Sequence, residues 1–90
     1  MTDYIVEGIE NDIIDRLNKK ERVYIESGSA TDRIMSYSIR KSKMGLRQQY
    51  EEREVMFTTS ACIFPEKIML SDYDDVDCEV FEKIFIIRVR

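Results

Sequence analysis

Residues 33–41, RIMSYSIRK, alternate between apolar and polar side chains, and this alternation constrains the fold more than any other feature of the chain. In an extended chain Met35, Tyr37 and Ile39 share one face, and the residues between them share the other. One buried face and one solvated face are typical of an antiparallel strand. The sequence therefore predicts a mostly antiparallel sheet.

Further runs of residues also have strand character. Residues 22–27 alternate in the same way, and turn residues at 28–32 predict a hairpin across Gly28. Residues 55–64 are rich in β-branched and aromatic side chains. Residues 79–90 are apolar on both faces towards their end, which predicts a central strand. A short apolar run at 67–70 brings the expected number of strands to four or five.

The first segment predicts a helix. Its apolar residues recur with a period of 3.6: Ile5, Ile9, Ile13, Ile14 and Leu17. Gly8 weakens a helix by about 1 kcal/mol relative to alanine. The alternative is therefore an extended segment at 4–6, followed by a helix that begins near Ile9.

Together these elements predict a single α+β domain over residues 1–90, in which helix 5–18 packs across a mostly antiparallel sheet of four to five strands in two layers. A small barrel is the alternative architecture. The predicted core comprises Ile9, Ile13, Leu17, Val23, Ile25, Tyr37, Ile39, Val55, Phe57, Phe81, Phe85 and Ile87.

The composition excludes several kinds of chemistry. The chain has no histidine, which removes histidine-dependent triads, His-ligated zinc and histidine acid–base catalysis. Its two cysteines have no CxxC spacing and are too few for a disulfide scaffold. No phosphate-binding glycine motif and no nucleophile elbow is present. We therefore expect no enzyme activity and no cofactor.

The segment SDYDDVD, residues 71–77, places four carboxylates within six positions. An EF-hand loop needs a glycine at its sixth position, and neither possible starting residue provides one. Three interpretations remain: a solvated turn, a looser Mg²⁺ or Ca²⁺ site, and an acidic surface that binds a basic partner. We take the third as the binding hypothesis, without a metal. Its residues are Asp72, Tyr73, Asp74, Asp75, Asp77 and Glu79.

Charge is segregated along the chain, with a net −4 over residues 1–32, +4 over 33–53 and −4 over 54–90. The basic stretch at 41–54 is compatible with a loop around Gly45, a helix at 46–53, or two strand extensions. A pI near 4.8 for the whole chain argues against a nucleic-acid binder. The basic residues are kept as a second protein contact: Arg40, Lys41, Lys43 and Arg47.

These features predict a small acidic soluble protein that acts by macromolecular binding, as a phage or mobile-element inhibitor of a host protein with a basic surface. The absence of a long apolar stretch and of a basic, apolar leader predicts a cytoplasmic location, in the host cytoplasm if the protein is phage-encoded. One alternative function is an assembly subunit that forms a homodimer or larger homo-oligomer. Another is a small-ligand binder with a pocket at the Gly28 turn and Arg33.

Overall fold

The computed structural model describes residues 2–43 and 51–90, and the side chains of residues 8–40 and 54–90. It contains one α-helix and six strands, together with a 3₁₀ turn at Leu70–Asp72. The elements are α1 (Thr2–Asn18), β1 (Arg22–Ser27), β2 (Ala30–Lys43), β3 (Glu51–Thr59), β4 (Lys67–Ile68), β5 (Val76–Phe81) and β6 (Ile84–Val89).

The strands form one mixed sheet in the order β4-β3-β2-β1-β6-β5. Four of the neighbouring pairs are antiparallel, and β1 and β6 are parallel. The predicted α+β class is confirmed, but the number of strands is six and not four to five. The additional strand arises because the predicted strand at 79–90 contains the end of one strand, a turn at Glu82 and Lys83, and a second strand; β5 begins at Val76 and pairs with β6 as a hairpin.

This hairpin reverses the expected orientation of Phe81. Glu82 adopts a φ of 55°, which allows a two-residue turn, and Phe81 pairs with Ile84 across it. Directly paired residues project from the same face of a sheet, so Phe81 lies on the face opposite to Phe85. The side chain of Phe81 is 61% exposed, whereas that of Phe85 is fully buried. The prediction that Phe81 belongs to the core is wrong.

A bulge in β2 brings Ile34 into the core. Ile34 pairs with Thr59 and Ser36 pairs with Thr58, so Met35 is an extra residue in the ladder. Ile34 and Tyr37 therefore lie on the same face although they are three residues apart. Ile34 is buried, and Met35, which was expected on the face of Tyr37, is 53% exposed. Ile39 is also exposed, because β2 extends past the end of β1 at this point.

The helix covers one face of the sheet. The fully buried side chain of Ile13 packs into the core. The guanidinium of Arg16 lies 4.6 Å from the centre of the Phe85 ring, and the Tyr37 hydroxyl donates to Asn18 Oδ1 at 3.2 Å. The buried core comprises Ile13, Val23, Ile25, Ile34, Val55, Phe57, Ile68, Leu70, Phe85, Ile87 and Val89. The helix begins at Thr2, so the alternative of an extended segment at 4–6 is wrong.

The helix ends in a Schellman motif with a lysine at the left-handed position. The N–H of Lys20 donates to the Leu17 carbonyl at 3.0 Å, and the N–H of Glu21 donates to the Arg16 carbonyl at 3.0 Å. Lys20 has a φ of 63°, a conformation that glycine adopts without strain. The Arg16 side chain also pairs with Glu21 at 2.9 Å, which links the last helical turn to the start of β1.

In the basic stretch the structure shows two strand extensions. β2 and β3 remain paired as far as Lys43 and Glu51. A helix at 46–53 is excluded, because residues 51–53 belong to β3. The expected loop around Gly45 lies outside the described residues, which resume at residue 51.

Candidate functional site

The acidic stretch surrounds the start of the edge strand β5. Asp72 ends the 3₁₀ turn, and Tyr73 is half-buried against the core. Burial, together with the nearby charge of Asp72, raises the pKa of the Tyr73 hydroxyl. Asp74 and Asp75 lead into β5, which carries Asp77 and Glu79. The structure therefore places the predicted acidic residues at one edge of the sheet, in β5 and the segment that leads into it.

Two arginines of the C-terminal segment lie among these acids. Arg88 pairs with Glu79 at 2.7 Å and with Glu26 at 3.3 Å, and it stands opposite Asp77 in the ladder. The hydrogen bond from Arg88 to Glu79 raises the pKa of the guanidinium. A second arginine, Arg90, lies 4.0 Å from Asp75. The acidic stretch is therefore partly neutralised.

Other carboxylates of this region remain available to a partner. Asp72, Asp74 and Glu82 are exposed and form no ion pair with any residue that the structure describes. Asp77 accepts a hydrogen bond from the N–H of Cys78 at 2.8 Å, and its carboxylate stays exposed. The region thus keeps an excess of negative charge beyond what Arg88 and Arg90 offset.

Exposed apolar side chains lie at the other end of β5 from Asp72 and Asp74. Val80 is 51% exposed and Phe81 is 61% exposed, and they project from opposite faces just before Glu82. We call the exposed side chains of β5 and its flanking turns the β5 surface: Asp72, Asp74, Asp75, Asp77, Glu79, Val80, Phe81 and Glu82. An exposed aromatic ring bordered by charged groups is typical of a protein-binding surface.

The apolar part of this surface continues across the sheet, on the face opposite to the helix. Ile84 is paired with Phe81, and Ile86 is paired with Tyr24. Ile84, Ile86 and Tyr24 lie on the same face of the sheet as Phe81 and are half-buried, and no described helix covers them. Phe81 is therefore the exposed end of a larger apolar strip.

The predicted basic contact lies elsewhere. Arg40 is exposed on β2, where its guanidinium pairs with Glu54 of β3. β2 and β5 are separated by β1 and β6, so they lie roughly 14 Å apart. The side chains of Lys41 and Lys43, and all of Arg47, lie outside the described part of the chain. Among described residues the acidic and basic sets are not brought together.

Asp32 is a buried carboxylate that sequence reasoning placed in a plain hairpin loop. Its side chain is only 3% exposed. One carboxylate oxygen accepts from the N–H groups of Cys62, Ile63 and Phe64, at 3.1, 3.3 and 3.2 Å. The other accepts from the N–H of Arg33 at 2.8 Å and from the Ser60 hydroxyl. Asp32 thus holds the loop after β3 in place.

The ionisation of Asp32 follows from these contacts. Burial alone raises the pKa of a carboxyl, but the hydrogen bonds from Ser60 and from backbone N–H groups outweigh it and lower the pKa of Asp32 to about 2. The group is ionised at neutral pH and is too weak a base for proton abstraction there. Its role is structural.

Other reactive groups are few among the described residues. Cys62 and Cys78 are both free thiols. Burial raises the pKa of Cys78, the charges of Asp77 and Asp12 raise it further and that of Arg16 lowers it; the net rise reduces the thiolate fraction at neutral pH. Among the side chains that the structure describes, those of residues 8–40 and 54–90, no three from Cys, Asp or Glu are grouped to hold a metal ion. No helix in the described part of the chain is long and apolar enough to cross a membrane.

A shallow depression of about 390 Å³ lies near the Gly28 turn, where a ligand pocket was expected. Its polar lining comes from Glu26, Asp75, Asp77, Arg88 and Arg90, and Arg33 does not contribute. The carboxylates and guanidiniums largely satisfy one another, as the pairing of Arg88 with Glu26 shows.

Comparison with protein-family models, with curated proteins and with solved structures found no match for this chain.

Proposed function

We propose that this domain is a non-catalytic protein-binding module and that the β5 surface is its contact with a basic partner. The observation that carries the proposal is the exposure of Phe81 and Val80 on a strand at the edge of the sheet. A large aromatic side chain that gains burial only on binding favours association.

The surrounding charge supports a basic partner. Glu82 follows the apolar pair directly, and Asp72 and Asp74 lie at the other end of β5; none of the three forms an ion pair with a described residue. Charges at the rim of an interface mainly increase the association rate and select the partner. The narrower proposal of an inhibitor that blocks a host protein rests only on the size of the chain and its lack of catalytic motifs.

Site-specific photocrosslinking in the cells that encode the protein tests this proposal. A photoreactive phenylalanine analogue replaces Phe81 in one variant and Glu66, an exposed residue before the opposite edge strand β4, in the control. We expect one defined protein to be crosslinked from position 81 and not from position 66. Equal crosslinking from both positions would refute the proposal.

Neutral variants test the role of charge in the same assay. We expect D72N/D74N/E82Q to lose most of the crosslink at position 81, because the unpaired carboxylates no longer attract the partner. The control D15N/E66Q removes two exposed acids away from the β5 surface, one of which pairs with Lys19, and keeps the crosslink. Crosslinks between copies of this chain alone would favour the homo-oligomer alternative.

A further inference from the structure

The outer edge of β5 presents backbone groups that pair with no described strand, although the N–H of Cys78 donates to the carboxylate of Asp77 at 2.8 Å. The sheet ends at this strand, and the N–H of Arg90 donates to the carbonyl of Asp75 at 3.0 Å in the ladder with the C-terminal segment. In an antiparallel ladder the residues whose backbone groups face the neighbour alternate with those that face away. The backbone groups of Asp77, Glu79 and Phe81 therefore face β6, and those of Val76, Cys78 and Val80 face outward.

No described residue pairs with this outer edge. Six residues is an ordinary strand length, so the edge is long enough for another strand to pair with it. Such edges are the sites at which proteins bind extended peptides by strand addition. The outward N–H and C=O groups can supply the main-chain hydrogen bonds of that mode.

Side chains on the two faces of β5 restrict which strand can bind. Asp77, Glu79 and Phe81 project from the uncovered face, and Val80 projects from the other. Residues directly opposite each other in neighbouring strands lie on the same face. A matching strand therefore carries basic side chains at alternate positions, opposite Asp77 and Glu79, and apolar side chains near Val80 and Phe81.

A second copy of β5 matches poorly. In a two-fold antiparallel pair, a register centred on Asp77 or on Glu79 places that carboxylate opposite its own copy. A register centred on Cys78 places Asp77 opposite Glu79. Like charges directly opposite each other destabilise a strand pair. In these registers, which pair most of β5, charge thus disfavours β5–β5 self-pairing and favours a basic strand.

We infer that the β5 edge binds an extended segment with alternating basic and apolar residues by adding it to the sheet as a seventh strand. This inference rests on the proposed protein-binding function and specifies how the partner is recognised. Arg88 neutralises part of Glu79, so Asp77 is the main charge opposite the added strand.

The probe is a short capped peptide that alternates lysine and valine. Its control has the same composition but groups the lysines together, so the two peptides carry equal charge. Binding is measured by calorimetry at low and moderate salt. We expect the alternating peptide to bind roughly tenfold more tightly than the control, because only it matches the alternation of the strand.

Amide hydrogen exchange of the unmodified protein gives the decisive readout. With the alternating peptide bound, we expect exchange at the outward N–H of Val80 to slow about tenfold or more. The N–H groups of Asp77 and Glu79, already bonded to β6, and that of Cys78, already bonded to the Asp77 carboxylate, serve as internal references. Binding without protection at Val80 would overturn strand addition while leaving the proposed function intact.

A proline variant tests the same geometry by mutation. V80P removes an N–H that faces outward, and proline is tolerated at such edge positions. V80T keeps the N–H and the branched shape. We expect V80P to lose the preference for the alternating peptide and V80T to retain it, with circular dichroism confirming that both are folded.

Two further outcomes would overturn the inference. If neither peptide binds, a basic strand is not the occupant, and the crosslinking from position 81 decides separately whether the proposed function survives. If the N–H of Val80 becomes protected without peptide as protein concentration rises, the occupant is a second copy of the chain.

Discussion

Replacement of Asp32 by asparagine tests whether one buried charge organises the loop after β3. Asparagine keeps the shape of the side chain and one accepting oxygen. That oxygen can still serve the three N–H groups of residues 62–64, but the amide nitrogen then faces the N–H of Arg33. The variant therefore loses a charge-assisted hydrogen bond and weakens the others.

The size of the effect follows from these contacts. A hydrogen bond to a charged group contributes about 1.5–3 kcal/mol, and a buried donor left without an acceptor costs about 1–3 kcal/mol. The N–H of Arg33 retains a weaker acceptor in Ser60 Oγ at 3.3 Å, which places the expected loss of unfolding free energy at about 2–3 kcal/mol. For a domain of this size, that corresponds to a fall in Tm of roughly 10–20 °C.

The pH dependence identifies the charge as the cause. Because folding lowers the pKa of Asp32 from 3.8 to about 2, its contribution is fully present above the unfolded pKa and is lost as the pH falls through the folded pKa. The difference in stability between the native protein and D32N should thus be constant from neutral pH to about pH 5. It should shrink between about pH 4 and pH 2.

Urea unfolding of the native protein, D32N and the control D74N, measured over this pH range, provides the assay. Asp74 is exposed and makes no side-chain hydrogen bond with a described residue, so D74N should change stability by less than about 0.5 kcal/mol. If D32N loses no more unfolding free energy than D74N, the buried charge of Asp32 does not stabilise the loop after β3. A difference that persists unchanged to pH 2 would lead to the same conclusion.

Other substitutions test the backbone and the β3 loop, each by thermal and urea unfolding. Lys20→Gly should stabilise the protein by about 1 kcal/mol, because glycine relieves the left-handed residue of the Schellman motif. Gly28→Ala should destabilise by about 1 kcal/mol through its φ of 61°, since nothing lies within 4 Å of the added methyl group. Gly8 lies in the helix, and nothing lies within 4 Å of a methyl group added there. Gly8→Ala should therefore stabilise the protein by about 1 kcal/mol, because alanine favours the helix over glycine. Thr59→Val should cost about 1 kcal/mol, because the Thr59 hydroxyl donates to the Pro65 carbonyl at 2.7 Å. A change of opposite sign in any of them would contradict its stated cause.

Local sequence patterns predicted the elements that depend on local physics. The alternation at 22–27 gave the bounds of β1, and Val23 and Ile25 are buried as expected. The stripe of apolar residues predicted the helix and its buried residue Ile13. In each case the periodicity itself determines which face is apolar, so no information from distant residues is needed.

The features that the sequence did not predict depend on residues far apart in the chain, or on a turn that lacks the glycine or asparagine common at such positions. The β5–β6 turn uses Glu82 and Lys83 where glycine or asparagine is common, so residues 79–90 read as one strand. The bulge at Met35 is visible only from the pairing with Thr58 and Thr59. For the β5–β6 turn, the only available signal in the sequence was the polar pair at 82–83 between two apolar runs.

Asp32 shows the same limit at the level of a single side chain. An acid between a glycine turn and a strand is typical of a solvated loop. Asp32 accepts hydrogen bonds from Ser60, Cys62, Ile63 and Phe64, which lie 28 to 32 residues away in the chain. They meet Asp32 only because the start of β2 extends beyond the end of its neighbour β3. Burial of this carboxylate is therefore a property of the tertiary fold.

The register of the sheet also bears on how the acidic stretch recognises a partner. A mimic of nucleic-acid phosphates requires a continuous row of negative charge. Here Arg88 stands between Glu26 and Glu79 and opposite Asp77, so a cation interrupts the negative row. Asp77 and Glu79 project from the same face two residues apart, which fits basic side chains at alternate positions of a partner strand. The arrangement of charge thus favours recognition of an extended basic segment over imitation of a nucleic acid.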